Sequence, residues 1–156
     1  MVKIVMIERE IYKADIAFSG DYMPRKGTPD SAGLDLPTQE PFALLPGQRK
    51  RIPLSISWVA GVYDPLKTLV ADLRPRSGLA DKQGISIVNT PATIDEDYRG
   101  EWSVNLINLG TEIASFIAGD YVCQLLIDLK EKFPEFDRNF GVAREVRGEG
   151  GHGSTG

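Results

Sequence analysis

The feature that most limits how this chain can fold is the shortness of its apolar runs. Ten prolines and sixteen glycines are spread over 156 residues, and the runs between them, rich in Val, Ile, Leu and Trp, are too short for core helices. They predict β-strands at KIVMI (3–7), FALL (42–45), RIPLSISWV (51–59), TLVADLR (68–74), ISIVN (85–89), WSVNLINL (102–109) and YVCQLLIDL (121–129). We therefore predict an all-β domain, a sandwich or barrel of many short strands.

One of these runs has an irregular pattern. In WSVNLINL the apolar residues alternate through Trp102, Val104 and Leu106, and the apolar phase then shifts at Ile107. Such a shift predicts either a β-bulge or a strand that is buried on both faces.

A single short helix is predicted at SGLADKQG (77–84). Ser77 is a residue type that caps helix N-termini, and Gly84 is the type that ends helices. Leu79 and Ala80 are the residues expected to pack inward.

Length, charge and cysteine content limit the class of protein. A chain of 156 residues can bury one core but not two, so residues 1–156 form one predicted domain. A net charge of −4, with no basic cluster beyond RKR at 49–51, argues against nucleic acid and membrane surfaces as partners. No stretch has the ~20 apolar residues of a membrane span. The lone Cys123, inside an apolar run, is typical of a reducing compartment, and we expect a cytoplasmic protein.

Two segments contain polar groups that suit an anion. In RPRSGLA (74–80), Ser77 and the free N–H groups at the start of the predicted helix lie beside Arg76; a plain capped helix is the alternative. In GDYVCQLLI (119–127), Gln124 interrupts an apolar run, and a buried amide needs either backbone partners or a ligand oxygen.

Two further segments contain carboxylates. Asp35 lies between glycine and apolar residues in DSAGLDL (30–36), where an ordinary turn aspartate is the alternative. In NTPATIDEDYRGE (89–101) we predict a hairpin, and Asp95 follows an inward-facing Ile94, so its carboxylate would have a fixed place. A solvated acidic loop is the alternative.

The chain ends on RGEGGHGSTG (147–156). Its glycines allow successive N–H groups to turn around an anion, while Arg147, Ser154 and Thr155 add donors. We interpret this tail as a lid that becomes ordered on a phosphate ligand, with a flexible linker as the alternative.

Five segments, taken in order, resemble the motifs of the homotrimeric dUTPase family. They are AGLDL (32–36), PRSGLA (75–80), IDEDYRGE (94–101), GDYVCQL (119–125) and RGEGGHGSTG (147–156). The resemblance implies a jelly-roll or β-barrel domain in a homotrimer that exchanges its C-terminal arm, with residues 1–20 as an N-terminal strand and extension. It also implies hydrolysis of dUTP to dUMP and pyrophosphate.

The resemblance implies a role for each matching residue. Asp95 matches the base that activates water for in-line attack on the α-phosphorus. Mg²⁺ is the implied cofactor, with Asp35 at most in its outer shell through water. The implied phosphate contacts are Arg76, Ser77, Gly78, Gln124, Arg147, Ser154 and Thr155, and the implied uracil and deoxyribose contacts are Asn89, Ile94, Tyr98 and His152.

Two positions depart from the family pattern. His152 stands where the family usually has a Phe that stacks on uracil; it either makes closure of the tail pH-dependent or is a neutral substitute. Ala92, in PAT (91–93), lies in the stretch before Ile94 where the family commonly has Gly, which restricts the backbone of the predicted hairpin.

Two other functions stay open. One is the related dCTP deaminase, whose catalytic glutamate aligns with Asn105 here, and an amide cannot replace that acid. The other is a nucleotide-gated regulator of a protein partner, if the source is viral.

Overall fold

The computed structural model describes residues 3–9, 12–60 and 64–133, and this part of the chain folds into thirteen strands and one helix. The strands are β1 (Lys3–Arg9), β2 (Tyr12–Phe18), β3 (Arg25–Lys26), β4 (Leu34–Pro37), β5 (Phe42–Leu44), β6 (Arg49–Pro53), β7 (Ile56–Ala60), β8 (Lys67–Arg74), β9 (Ile85–Ile87), β10 (Ala92–Asp95), β11 (Ser103–Asn108), β12 (Ala114–Phe116) and β13 (Tyr121–Glu131). The helix α1 spans Ser77–Gln83. The predicted all-β class with one short helix is confirmed.

The strands of this described part form four sheets. The largest has five strands in the order β10-β8-β13-β4-β3; the others are β1-β2-β7, β6-β11-β9 and β12-β5. Their pairings are antiparallel. Antiparallel strands alternate inward and outward side chains, and the five-stranded sheet therefore has one face toward the core and one face away from it.

The core is built from the inward side chains of these sheets. Trp102 is fully buried, and its ring meets that of Trp58 edge to face, with centroids 5.1 Å apart. Phe42 and Phe116 stack at 4.6 Å. Large aromatic groups in these arrangements contribute both apolar burial and ring–ring contact to stability.

The strand predicted over 51–59 is wrong in its length, because the structure divides it into β6 and β7. Ser55, between them, has a φ of 55°, a left-handed backbone conformation that turns the chain. The two halves join different sheets, since β6 pairs with β11 and β7 pairs with β2. The Ser55 N–H donates to Glu101 Oε1 at 2.9 Å, which holds this turn in place.

The predicted bulge or double burial at Ile107 is also wrong. β11 pairs with β6 and β9 without a register shift, and the residue after Ile107, Asn108, takes the next inward position. Asn108 is fully buried. Its Nδ2 donates to the carbonyls of Leu44 and Glu112 at 2.9 and 2.8 Å, and its Oδ1 accepts from Gly110 N–H at 2.9 Å. The alternation therefore continues through a polar residue that is fully hydrogen-bonded.

The helix ends as predicted but begins differently. Gly84 has a φ of 69° and its N–H donates to Ala80 O at 3.0 Å, as in left-handed helix ends. Arg76, not Ser77, is the N-cap residue, and no side chain caps the helix. Leu79 packs partly on the core, whereas Ala80 is exposed.

The N-terminal strand is part of a hairpin that the sequence analysis did not predict. β1 pairs with β2 over the full length of both strands, from Lys3 opposite Phe18 to Arg9 opposite Tyr12. β2 then pairs with β7. This hairpin lies in the predicted N-terminal extension, residues 1–20.

Cys123 is fully buried on β13. Burial raises the pKa of its thiol well above the ordinary value, and the Asp35 carboxylate adds to this effect. The thiol therefore stays protonated and inert at neutral pH. None of the described helical residues forms a segment long and apolar enough to cross a membrane.

Replacing Asn108 by Leu should destabilise the protein by about 3 kcal/mol, because two carbonyls and one N–H group lose their buried partners. The measurement is urea unfolding at one fixed protein concentration. Asn105→Leu, at an exposed position of the same strand, is the control and should change stability by less than about 0.5 kcal/mol. Equal effects of the two substitutions would contradict the role given to Asn108.

Candidate active site

Four polar residues form a row across four neighbouring strands of the five-stranded sheet. Arg25 on β3 lies opposite Asp35 on β4, Asp35 lies opposite Gln124 on β13, and Gln124 lies opposite Arg74 on β8. Residues directly opposite each other on neighbouring strands place their side chains on the same face. We call these four residues the polar row. It brings together two residues from separate predicted motifs, Asp35 and Gln124.

Arg76 lies beside the polar row and is held by two contacts. Its Nη2 lies 3.1 Å from Asp35 Oδ2, and its Nη1 donates to the Tyr121 carbonyl at 2.8 Å. The Asp35 and Arg76 side chains are 19% and 28% exposed. An ion pair that is screened only in part fixes both groups. Asp35 is thus engaged with a cation of its own chain.

Gln124 is half-buried, and its side chain reaches the protein backbone. Its Nε2 donates to the Pro75 carbonyl at 3.0 Å, the backbone partner that the sequence analysis gave as one option. Gly33 makes room for it, because a Cβ at Gly33 would lie 2.5 Å from Gln124 Oε1. This close approach explains the glycine of the AGLDL motif.

The start of the helix is exposed next to Arg76. The N–H groups of Leu79 and Ala80 both donate to the Arg76 carbonyl, so Ser77 and Gly78 are the helical residues whose N–H groups lack an acceptor within the helix. A Cβ at Gly78 would meet nothing within 4 Å. Ligand atoms can therefore approach the backbone here.

Asp95 is the exposed last residue of β10. Ile94 before it packs partly on the core, as predicted. Asp95 lines a cavity of about 730 Å³ that Asp97, Arg99 and Lys130 also line.

The turn after Asp95 is held by Glu96, a residue that the sequence analysis missed. Ala71 lies opposite Ile94, so the same register would place Glu96 opposite Leu69. There the side chain, not the backbone, makes the bond: Glu96 Oε2 accepts from Leu69 N–H at 2.9 Å and from Thr68 Oγ1 at 3.0 Å. Glu96 thereby ends the β8–β10 pairing immediately after Asp95. Glu96 lies between Asp95 and Asp97, and such an acidic run gives no sign of which carboxylate makes a structural contact.

Tyr98 and Asn89 lie on either side of β10. Tyr98 N–H donates to the Asp95 carbonyl at 3.1 Å, and Tyr98 Oη donates to the Glu101 carbonyl at 3.3 Å. A Cβ at Gly100 would collide with the Tyr98 hydroxyl, so the glycine lets the ring fold back over this turn. Asn89 lies exposed in the turn between β9 and β10.

The predicted hairpin over 89–101 differs from the structure. β9 and β10 follow each other along the chain, but β9 pairs with β11 and β10 pairs with β8. Ala92 is a buried strand residue without a positive φ, so an alanine fits this backbone.

Within one chain the structure does not bring Asp95 to the polar row. Asp95 lies opposite Val70, four positions along β8 from Arg74, and Asp35 lies three strands away from β10. Strand geometry gives a separation of about 19 Å between Asp95 and Asp35. The tail residues Arg147, His152, Ser154 and Thr155 lie outside the described residues. So do residues 134–146 of the segment 133–146, which we interpret as the arm that crosses to a neighbouring subunit. Within 3–9, 12–60 and 64–133, no three His, Cys, Asp or Glu residues are grouped to hold a metal.

Comparisons with known proteins agree with this fold. A model of the dUTPase family matches residues 21–156. Two relatives named deoxyuridine 5'-triphosphate nucleotidohydrolase come from Anaeromyxobacter sp. (strain Fw109-5), 41% identical with 86% of this chain and 87% of the relative covered, and from Mycobacterium sp. (strain JLS), 44% identical with 86% and 87% covered.

Solved structures of dUTPases have a fold similar to that of this chain. The native EIAV dUTPase is similar with a TM-score of 0.60 at 26% identity, covering 80% of this chain and 98% of that one. A dUTPase from phage phi11 of S. aureus has a TM-score of 0.63 at 19% identity, with 80% and 94% covered. The chain therefore belongs to the dUTPase family.

Proposed function

We propose that the chain hydrolyses dUTP to dUMP and pyrophosphate by attack of water on the α-phosphorus, with Asp95 as the base. The observation that carries this proposal is the fixed position of Asp95 at the end of β10, between the core-packed Ile94 and the turn held by Glu96. Asp95 takes the proton of the water as the new P–O bond forms. The bond from the α-phosphorus to the bridging oxygen breaks, and pyrophosphate leaves with that oxygen.

The phosphate chain would bind near the polar row. Arg76 supplies a guanidinium that Asp35 and Tyr121 hold in place, and Ser77 and Gly78 supply exposed backbone N–H groups. Gln124 supplies an amide. Positive and dipolar groups fixed in advance around a phosphate chain stabilise the charge that moves onto the leaving pyrophosphate. Arg147, Ser154 and Thr155 of the tail would complete this set.

Mg²⁺ bound to the triphosphate would neutralise part of its charge. The described residues fit an ion held mainly by substrate and water, because Asp35 is a carboxylate near the phosphate contacts but is already paired with Arg76. Asp35 would therefore act through a water molecule.

The base and sugar would be recognised beside β10. Backbone groups around Ile94, together with Asn89, would match the two carbonyls and the N–H of uracil, and cytosine would leave buried groups unpaired. Tyr98, folded over its turn by the Gly100 contact, would lie under the deoxyribose and exclude a 2′-hydroxyl. His152 of the tail would stack on the base.

We infer that the complete site is shared between subunits of a homotrimer. The separation of Asp95 from the polar row supports this, because one chain alone cannot present both to a single phosphate chain. The tail would close over a neighbouring subunit's site and exclude water. A cytoplasmic location remains our expectation, in keeping with the buried thiol of Cys123.

The substrate panel is dUTP, dCTP, dTTP and UTP with Mg²⁺, with pyrophosphate and ammonia measured separately. Pyrophosphate from dUTP alone is expected. The contacts to uracil should reject the bases of dCTP and dTTP, and Tyr98 should reject the 2′-hydroxyl of UTP. Ammonia from dCTP would instead support the deaminase, although Asn105 is an amide and lies exposed on β11.

Asp95→Asn should lower kcat for dUTP by about 10³-fold, because an amide cannot accept the proton of the attacking water. Affinity for the non-hydrolysable analogue α,β-imido-dUTP should stay within about threefold, because the fold and the phosphate contacts are unchanged. Asp97→Asn, an exposed residue of the turn that follows Asp95, is the control and should retain wild-type turnover. An Asp95→Asn enzyme with normal kcat would overturn the role of Asp95.

Mixed trimers test the shared site. Asp95→Asn and Arg76→Gln subunits, each inactive alone, should regain about a quarter of wild-type activity when unfolded and refolded together at equal amounts, because one in four sites then has both intact groups. Each variant refolded alone is the control. A mixture as inactive as its parents would place both residues in one subunit's site.

A further inference from the structure

Arg25 lies on the same face of the five-stranded sheet as the proposed phosphate contacts. It is directly opposite Asp35, which is directly opposite Gln124. Neighbouring strands are about 4.8 Å apart, so the Cα of Arg25 lies about 10 Å from that of Gln124. Arg25 lies outside the five motifs of the sequence.

The Tyr121 ring holds the Arg25 side chain in place. The guanidinium carbon of Arg25 lies 4.1 Å from the ring centroid, and that of Arg76 lies 5.8 Å from the same centroid. The two guanidinium carbons are therefore within about 10 Å of each other. The ring is itself anchored, because Tyr121 Oη donates to the Met23 carbonyl at 3.2 Å. A cation–π contact orients a guanidinium without neutralising it.

No carboxylate near the polar row neutralises the positive charge of Arg25 within the described residues. Asp35 is paired with Arg76, and Asp72 is paired with Arg74. Arg25 makes no ion pair with any residue of the described ranges, and it is exposed. Its N–H groups form a planar fork that suits phosphate oxygens. This end of the polar row therefore has a fixed positive charge that faces solvent.

We propose that Arg25, supported by the Tyr121 ring, is an additional phosphate-binding residue that contacts the outer phosphates of the nucleotide. The inference rests on the proposed phosphate site at Arg76 and Gln124. Those two side chains are half-buried, whereas Arg25 is exposed on β3, an edge strand of the sheet. The end of a triphosphate is its most highly charged and hydrated part, so it fits the exposed end of the row.

The test measures binding without turnover, by calorimetry with dUMP, dUDP and α,β-imido-dUTP. Arg25→Ala should weaken binding of dUDP and α,β-imido-dUTP by about tenfold and that of dUMP by less than about twofold. Arg25→Lys keeps the charge but loses the planar fork, and its affinities should fall between those of the wild type and the alanine variant.

Lys50→Ala is the matched control. Lys50 is an exposed cation whose Nζ lies 5.8 Å from the Phe42 ring centroid, but it is on β6, in another sheet. Its removal takes away the same charge and a similar ring contact, and it should leave all three affinities unchanged.

Two results would overturn the inference. One is an Arg25→Ala protein with wild-type affinity for all three nucleotides. The other is an equal loss for all three, which would indicate a structural role. This test measures binding and needs no hydrolysis. If the role proposed for Asp95 were wrong, turnover of the Asp95→Asn enzyme would show it, and the affinities measured here would not change. A wild-type protein that binds α,β-imido-dUTP no more tightly than dUMP would contradict the phosphate site itself, and with it the role of Arg25.

Discussion

The pairing of β8 with β13 is the constraint on which the site depends. Eight residue pairs run in continuous register from Gln124 opposite Arg74 to Glu131 opposite Lys67. Each strand also has a second neighbour, β10 for β8 and β4 for β13, so this one ladder places both Asp95 and the polar row. A slip of one residue would turn Gln124 to the opposite face of the sheet.

The ion pair between Asp35 and Arg76 has a second effect besides fixing the two groups. It offsets the cost of keeping a half-buried guanidinium in the protein without a ligand, since either partner alone would be a poorly solvated charge. The backbone carbonyl of Tyr121 also stabilises the guanidinium, because it accepts a hydrogen bond from Arg76. A ligand that meets such a site finds donors already oriented and loses less free energy in ordering them.

The sequence predicted the parts of the structure that depend on local pattern. The strand at 68–74, the helix end at Gly84 and the packing of Ile94 follow from side-chain type and spacing. The turn at Ser55 could not be predicted in this way, because serine rarely adopts a positive φ. The turn is needed only because the strands on either side of Ser55 pair in different sheets. The same is true of Glu96, whose role depends on the register between strands that are distant in sequence. Pairing between strands that are distant in sequence produces no local sequence pattern from which it could be predicted.

The buried thiol of Cys123 has a consequence for how opening of this sheet can be observed. Cys123 lies on β13, between β4 and β8, and both burial and its raised pKa keep it from reacting in the folded protein. A thiol reagent can modify it only when these strands separate. As the single cysteine of the chain, it is a natural label for measuring the opening free energy of the sheet that holds the candidate active site.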